Sequence, residues 1–294
     1  MTKTAAPTFS YVTRNYYLLT KPGIIFGNLM TTAGGFALGC QGRLDVLLIL
    51  KTLVGLGLVI ASSCVFNNYI DREADRKMAR TKQRPLATGA ISNKNALLFA
   101  IFMGIAGTSI LGLFTNLLTL TVALLGFAIY VILYSFSKYH TIHGTLIGSI
   151  AGAVPPVVGY TAVSNQLDSG AWIFFAMLVL WQMPHFLAIA IYRLKDYTKA
   201  SIPLLPVKKG IAKTKVHMLL YIFAFTGVST LLTLFHFTGM LYLATATLLG
   251  AIWAWLCVQG FKCANDELWA RKMFLFSLVV IMAISIVIPF SLRI

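Results

Sequence analysis

The sequence predicts an all-α, polytopic membrane protein of about nine transmembrane helices, folded as one domain over residues 1–294. Three observations predict it. First, 58% of the residues are hydrophobic and only 11% are charged, where an average soluble domain carries roughly 25% charged residues. Second, mean hydropathy is +0.81, so a water-soluble globule of this size would lack the polar surface to cover itself. Third, the apolar residues gather into long runs separated by short polar turns. A soluble enzyme, a disordered chain and a disulfide scaffold are therefore poor readings.

Taken in order, residues 1–20 form a short tail with Lys3 and Arg14 but no apolar run of signal-peptide type. A cleaved leader is not expected, and the tail is expected to lie on the membrane surface. A membrane helix needs about 20 mostly apolar residues. The runs at 23–41, 46–70, 95–114, 117–136, 143–163, 171–192, 216–237, 240–260 and 273–291 qualify. The turns at Thr115-Asn116 and Thr238-Gly239 are very short, whereas the segments after the second and sixth runs are read as basic loops of about 24 residues. These two loops lie four helices apart, which hints at a weak internal repeat. Cys40, Cys64, Cys257 and Cys263 form no CxxC pair and read as plain thiols.

The charge balance is lopsided, with 24 Lys+Arg against 8 Asp+Glu and a net +16. In a soluble protein this would suggest nucleic acid. Here the cations sort by membrane side. Lys3, Arg14 and Lys21 precede the first span, seven cations lie between Arg72 and Lys94, and Lys138 follows the fourth span. Seven more lie between Arg193 and Lys215, and Lys262, Arg271 and Lys272 follow the eighth span. That places 21 of 24 on one side and leaves Arg43, Lys51 and Arg293 on the other. The excess orients the chain, N-terminus cytoplasmic and C-terminus external, and no nucleic acid is expected as a partner. No acid falls at mid-membrane, which argues against an ion-coupled transporter.

Two polar stripes stand out. Asn67, Asp71 and Asp75 recur every four residues where the second run leaves the membrane, so all three project from one helix face. Mg²⁺ binds through one or two carboxylates together with substrate phosphates. The cations that follow, Arg72, Arg76, Arg80 and Arg84, suit the oxygens of a metal-bound diphosphate. The plainer reading is a helix end with Glu73–Lys77 and Arg72–Asp75 pairs at helical spacing. In the second stripe His185, Tyr192 and Asp196 share a face within about 20°. Pro184 is expected to kink that helix. The plainer readings are an interhelical hydrogen bond for His185 and interfacial belt positions for Tyr192 and Tyr197.

These residues resemble the UbiA superfamily of intramembrane prenyltransferases. The resemblance rests on the Asn67-x₃-Asp71-x₃-Asp75 stripe, Arg84-Pro85-Leu86 and the second acidic stripe. It narrows to the branch that farnesylates protohaem through Lys21-Pro22-Gly23-Ile24, Gly144 to Gly148 and Ala153-Val154-Pro155-Pro156. Trp181-Gln182-Met183-Pro184-His185 and Asp196-Tyr197 to Ile202-Pro203 are its specific part. The resemblance spans about residues 15–275 and implies a UbiA-like bundle around a central cavity, in the bacterial inner membrane.

It further implies that Asn67, Asp71, Asp75 and Asp196 hold Mg²⁺, with Tyr192 joining them as a catalytic residue. Lys21, Arg72, Arg76, Arg80, Arg84, Lys138 and Lys195 would bind the diphosphate of farnesyl diphosphate. His185 and Tyr197 would contact haem B, and His140 and His143 would be weaker candidates for its propionates. The product would serve a downstream haem enzyme or terminal oxidase. Two departures matter: Tyr192 and His185 stand where other superfamily members carry aspartates, and Lys138-Tyr139 stands where Lys-Arg is usual. The rival readings are a prenyltransferase acting on an aromatic quinone precursor and a non-enzymatic haem or lipid transporter.

Overall fold

The computed structural model describes residues 9–292; Lys3 and Arg293, used above for orientation, lie outside them. Among the described residues nine helical spans are long and apolar enough to cross a membrane. The tail folds as α1 (Phe9–Leu19), with Phe9, Tyr11 and Tyr17 exposed. The first three spans are α2 (Pro22–Cys40), α3 (Val46–Lys77) and α5 (Asn93–Phe114). The short α4 (Pro85–Thr88) lies between the second and third. The fourth span combines α6 (Leu117–Ala128), a π-helical turn over Ile129–Tyr134 and α7 (Ser135–His140). The fifth combines α8 (Gly144–Gly152) and α9 (Val154–Ser164), broken ahead of Pro155-Pro156. α10 (Ser169–Tyr192) leads through the short α11 (Leu194–Lys199) to α12 (Leu205–Leu234). α13 (Met240–Gln259) and α14 (Asp266–Val287) complete the bundle.

Short polar residues set the starts of these helices. Asp45, Ser92, Asn116, Asp168 and Asn265 each accept a hydrogen bond from a first-turn N–H of the following helix, satisfying donors that would otherwise be orphaned. Two of the eight acids are therefore caps at turns on the side remote from the acidic stripes. Backbone approach sets the packing. A Cβ on Gly35 would lie 2.0 Å from Pro156 O, and one on Gly159 would lie 2.0 Å from Thr32 O, so α2 and α9 touch through their backbones. α3 and α5 are joined by Ser62 Oγ donating to Ala100 O at 2.7 Å. The largest apolar core lies among α10, α12, α13 and α14, around Phe174, Phe225, Tyr242 and Trp253. Outward-facing Phe102, Leu117, Met240 and Phe290 are exposed, as suits a surface solvated by lipid.

The nine spans match expectation in number, but three extend well beyond the apolar runs, by seven residues or more. α3 continues to Lys77, α12 begins at Leu205, and the last helix begins at Asp266. Helices outgrow the hydrocarbon layer when polar turns can still be capped and hydrogen-bonded in water. The loops after the second and sixth spans are consequently shorter than the expected 24 residues, and each is broken by a short helix. α12 bends at Gly210 (φ 79°, ψ 165°), a conformation at which glycine alone is unstrained. The four cysteines are free thiols, with Cys40, Cys64 and Cys257 buried and Cys263 half-buried.

Candidate active site

The end of α3 carries the first stripe inward. Asn67, Asp71 and Asp75 are 2%, 3% and 2% exposed, which is too buried for bare carboxylates unless they are paired. Each has acquired a partner from elsewhere in the chain. Lys21 Nζ donates to Asn67 Oδ1 at 2.6 Å, while Asn67 Nδ2 faces Ser135 Oγ at 3.5 Å. Lys138 Nζ donates to Asp71 Oδ2 at 2.5 Å, and the Tyr139 hydroxyl donates to Asp71 Oδ1 at 2.6 Å. Arg84 Nη1 donates to both oxygens of Asp75, at 2.8 and 3.0 Å. Asp196 comes from α11 and accepts the backbone N–H of Ala79 at 3.1 Å. The two acidic stripes are thereby joined on one side of the bundle.

Local structure explains these placements. Lys21 adopts a left-handed backbone (φ 53°, ψ 65°) at the start of α2; such strain in a non-glycine residue tends to mark a functional position. Burial, followed by the charge of Arg84, lowers the Lys21 ammonium from the usual lysine range to about 8. Arg84 precedes Pro85, which opens α4 and turns the chain back along α3. Lys138 and Tyr139 lie just past the π-helical turn, a feature often found at functional sites. Tyr130 and Tyr134 within that turn stack with ring centroids 5.4 Å apart, and Lys138 Nζ lies 5.8 Å from the Tyr134 ring.

Other expected residues lie elsewhere. Arg72 folds over Tyr69 at 4.3 Å, and Arg76 pairs with Glu73 at 2.8 Å and donates from Nε to Ala87 O of α4 at 2.9 Å, so neither is brought to the aspartates. The suggested Arg72–Asp75 and Glu73–Lys77 pairs do not form; Glu73 takes Arg76, and Asp75 takes Arg84. Arg80 is exposed yet close enough to oppose the burial that raises the Tyr197 hydroxyl above the usual phenol range. Lys195 is exposed. The Tyr192 ring lies under the Arg193 guanidinium at 4.2 Å. His185 is buried, stacks on Trp181 at 4.9 Å and meets Ser277 Oγ through Nδ1 at 2.7 Å. His140 meets Phe136 O through Nδ1 at 2.7 Å, and His143 is exposed. Tyr139 is the residue that sequence reasoning missed: neighbours at 100° on a helix were not expected to grip one carboxylate.

Asn67, Asp71, Asp75 and Asp196 offer the hard oxygens that Mg²⁺ takes. Among the described residues no three His, Cys, Asp or Glu side chains stand close enough to hold an ion alone. The donor set fits a metal that shares its coordination with phosphate oxygens. Lys21, Lys138 and Arg84 already neutralise the buried stripe, so an incoming anion would have three cations to meet.

A membrane bundle with this cluster of buried acids and cations defines an intramembrane transferase class, and the comparisons with known proteins agree. The profile of the UbiA prenyltransferase family matches residues 28–279, and the chain belongs to that family. A protoheme IX farnesyltransferase of Protochlamydia amoebophila is 57% identical over 279 residues, covering 95% of this chain and 99% of its own length. Among solved structures, a digeranylgeranylglyceryl phosphate synthase superposes with a TM-score of 0.76 at 20% identity, covering 95% of this chain and 97% of that chain. A UbiA homologue from Archaeoglobus fulgidus bound to GPP and Mg²⁺ gives a TM-score of 0.70 at 16% identity, covering 94% and 99%. These two establish the shared fold.

Proposed function

We propose that the protein transfers the farnesyl group of farnesyl diphosphate to a vinyl group of haem B, with addition of water, giving haem O and diphosphate. The observation that carries this reading is the pairing of every buried acid in the first stripe with a cation or hydroxyl from another element. Such a cluster can exchange its internal ion pairs for a metal-bound diphosphate without leaving a buried charge bare. High identity to protoheme IX farnesyltransferases selects haem B as the acceptor.

Asn67, Asp71, Asp75 and Asp196 would hold Mg²⁺, which supplies electrostatic stabilisation of the departing diphosphate. Lys21, Lys138 and Arg84 take the phosphate oxygens, with Arg80 at the rim. As the farnesyl C1–O bond breaks, its electron pair leaves with diphosphate. The terminal vinyl carbon bonds to C1, and water adds to the resulting cation on haem and loses a proton. Tyr130 and Tyr134, stacked beside the cluster, contribute aromatic faces that stabilise positive charge and exclude water. His185, held through Nδ1 by Ser277, would contact the acceptor, and Tyr197 flanks Asp196. The basic-residue distribution supports a cytoplasmic N-terminus and an external C-terminus in a bacterial inner membrane.

Purified protein in detergent is incubated with farnesyl diphosphate and either haem B or 4-hydroxybenzoate, with and without Mg²⁺. Mass spectrometry is expected to find a hydroxyethylfarnesyl haem in the haem B arm with Mg²⁺ alone. Prenylated hydroxybenzoate without modified haem would replace this reading with the quinone-precursor one.

A further inference from the structure

The two oxygens of Asp71 are held by donors of different kinds from consecutive residues. Lys138 brings an ammonium to Oδ2 and Tyr139 brings a neutral hydroxyl to Oδ1. Asp71 is buried, the Lys138 side chain is 13% exposed and Tyr139 is half-buried, so water does not readily stand in for either donor. Among the described residues, each donor makes this one side-chain hydrogen bond, to Asp71.

Charge separates their fates when ligands arrive. A divalent cation repels the Lys138 ammonium and competes for the same oxygen, while diphosphate offers that ammonium another anion. The Tyr139 hydroxyl carries no charge and has no such reason to leave. Oδ2 is therefore the oxygen that exchanges, and Oδ1 stays bonded. Mg²⁺ favours near-ideal octahedral geometry, which one oxygen of a fixed carboxylate serves better than a freely rotating group.

We propose that Tyr139 is a positioning residue for the metal: its hydroxyl retains Oδ1 of Asp71 and presents Oδ2 as a single-oxygen ligand once Lys138 moves to the diphosphate. The inference rests on the Mg²⁺–diphosphate reading above. Hydrogen-bond partners of metal ligands typically contribute about 10–100-fold to metal affinity or activity.

The test uses the full chain in detergent with Mn²⁺ as the probe ion and farnesyl thiodiphosphate as the unreactive substrate. Mn²⁺ binding is read by electron paramagnetic resonance. Tyr139→Phe is expected to weaken Mn²⁺ about 10-fold and to raise the Mg²⁺ activation constant equally. Its kcat at saturating Mg²⁺ and its KM for farnesyl diphosphate are expected to stay within about 3-fold of wild type. Lys138→Met is expected to split the other way, with Mn²⁺ binding at saturating farnesyl thiodiphosphate unchanged or tighter, because the competing ammonium is gone, and the KM for farnesyl diphosphate raised about 10-fold or more. Unchanged Mn²⁺ affinity in Tyr139→Phe, or a loss confined to farnesyl diphosphate, overturns the inference while the Mg²⁺–diphosphate reading stands. Absence of Mn²⁺ binding in the wild type overturns both.

Discussion

The carboxylate of Asp196 accepts the backbone N–H of Ala79 at 3.1 Å across 117 residues of sequence. This bond ties the segment after α3 to α11 and brings the second acid to the first stripe. It uses one oxygen and does not require a negative charge, because an amide oxygen also accepts an N–H, though more weakly. Structure and charge can therefore be separated at this position. Asp196→Asn is expected to keep the wild-type melting temperature while losing about 100-fold or more in farnesyl transfer. Asp196→Ala is expected to lose both. Thermal unfolding in detergent and product formation by mass spectrometry check the pair; full activity in Asp196→Asn would remove Asp196 from the metal set.

Helix packing supplies a second expectation. At Gly35 an added Cβ would meet Pro156 O at 2.0 Å and Pro156 C at 2.8 Å. Both are backbone atoms of α9, so neither can swing aside. Gly35→Ala must push α2 and α9 apart and is expected to cost about 1–3 kcal/mol. Gly27, on the same helix, has nothing within 4 Å of its Cβ position. Gly27→Ala should be neutral or stabilising by up to about 1 kcal/mol, because alanine loses less backbone freedom. Melting temperatures of the two variants, measured side by side, test the contrast.

What could be read from the sequence is what depends on helical period and apolar length. The span count follows from the runs, and the shared face of Asn67, Asp71 and Asp75 follows from their four-residue spacing. The partners of those residues could not be read this way. Spacing offered Arg72 to Asp75, but the chain reverses at Pro85 and delivers Arg84 instead. Tyr139 reads as a departure from a basic pair, yet the preceding π-helical turn displaces the register and carries its hydroxyl to Asp71. Span ends were misjudged where caps rule: Asn265 starts α14 well before its apolar run begins. The family resemblance named the acids as two stripes but gave no view of the Asp196–Ala79 tie, which is tertiary.

A third expectation concerns Cys263, the one half-buried thiol. Burial and its hydrogen bond to Asp266, 3.2 Å from Sγ, raise this thiol above its usual range, with Lys215 opposing them. A raised thiol stays protonated at neutral pH, and the thiolate is the reactive form. Cys263 should therefore alkylate slowly at pH 7.5 and faster as pH climbs past the ordinary thiol range. Asp266→Asn removes the anion that holds the neutral form and leaves the Lys215 ammonium nearby. It is expected to speed iodoacetamide labelling about 3–10-fold at pH 7.5, read by peptide mass spectrometry. A slower rate in Asp266→Asn would contradict the assignment of cause.

The Arg84–Asp75 pair carries the last expectation. Asp75 has 2% of its side chain exposed and Arg84 has 25%, so removing the arginine strands an acid rather than freeing a surface charge. Breaking a fully buried pair costs about 3–5 kcal/mol; partial exposure of Arg84 reduces that to about 2 kcal/mol for Arg84→Met. The double variant Asp75→Asn, Arg84→Met removes the stranded charge and should recover part of the loss, giving a coupling of about 1 kcal/mol in the cycle. A ligand that binds the folded state stabilises it by mass action. Mg²⁺ alone, at high concentration, should thus raise the melting temperature of Arg84→Met by more than that of wild type, since the metal then supplies the missing positive charge and no diphosphate contact of Arg84 enters. If the single and double variants melt together, and ligand restores neither, Asp75 is not a charge that Arg84 holds for the metal.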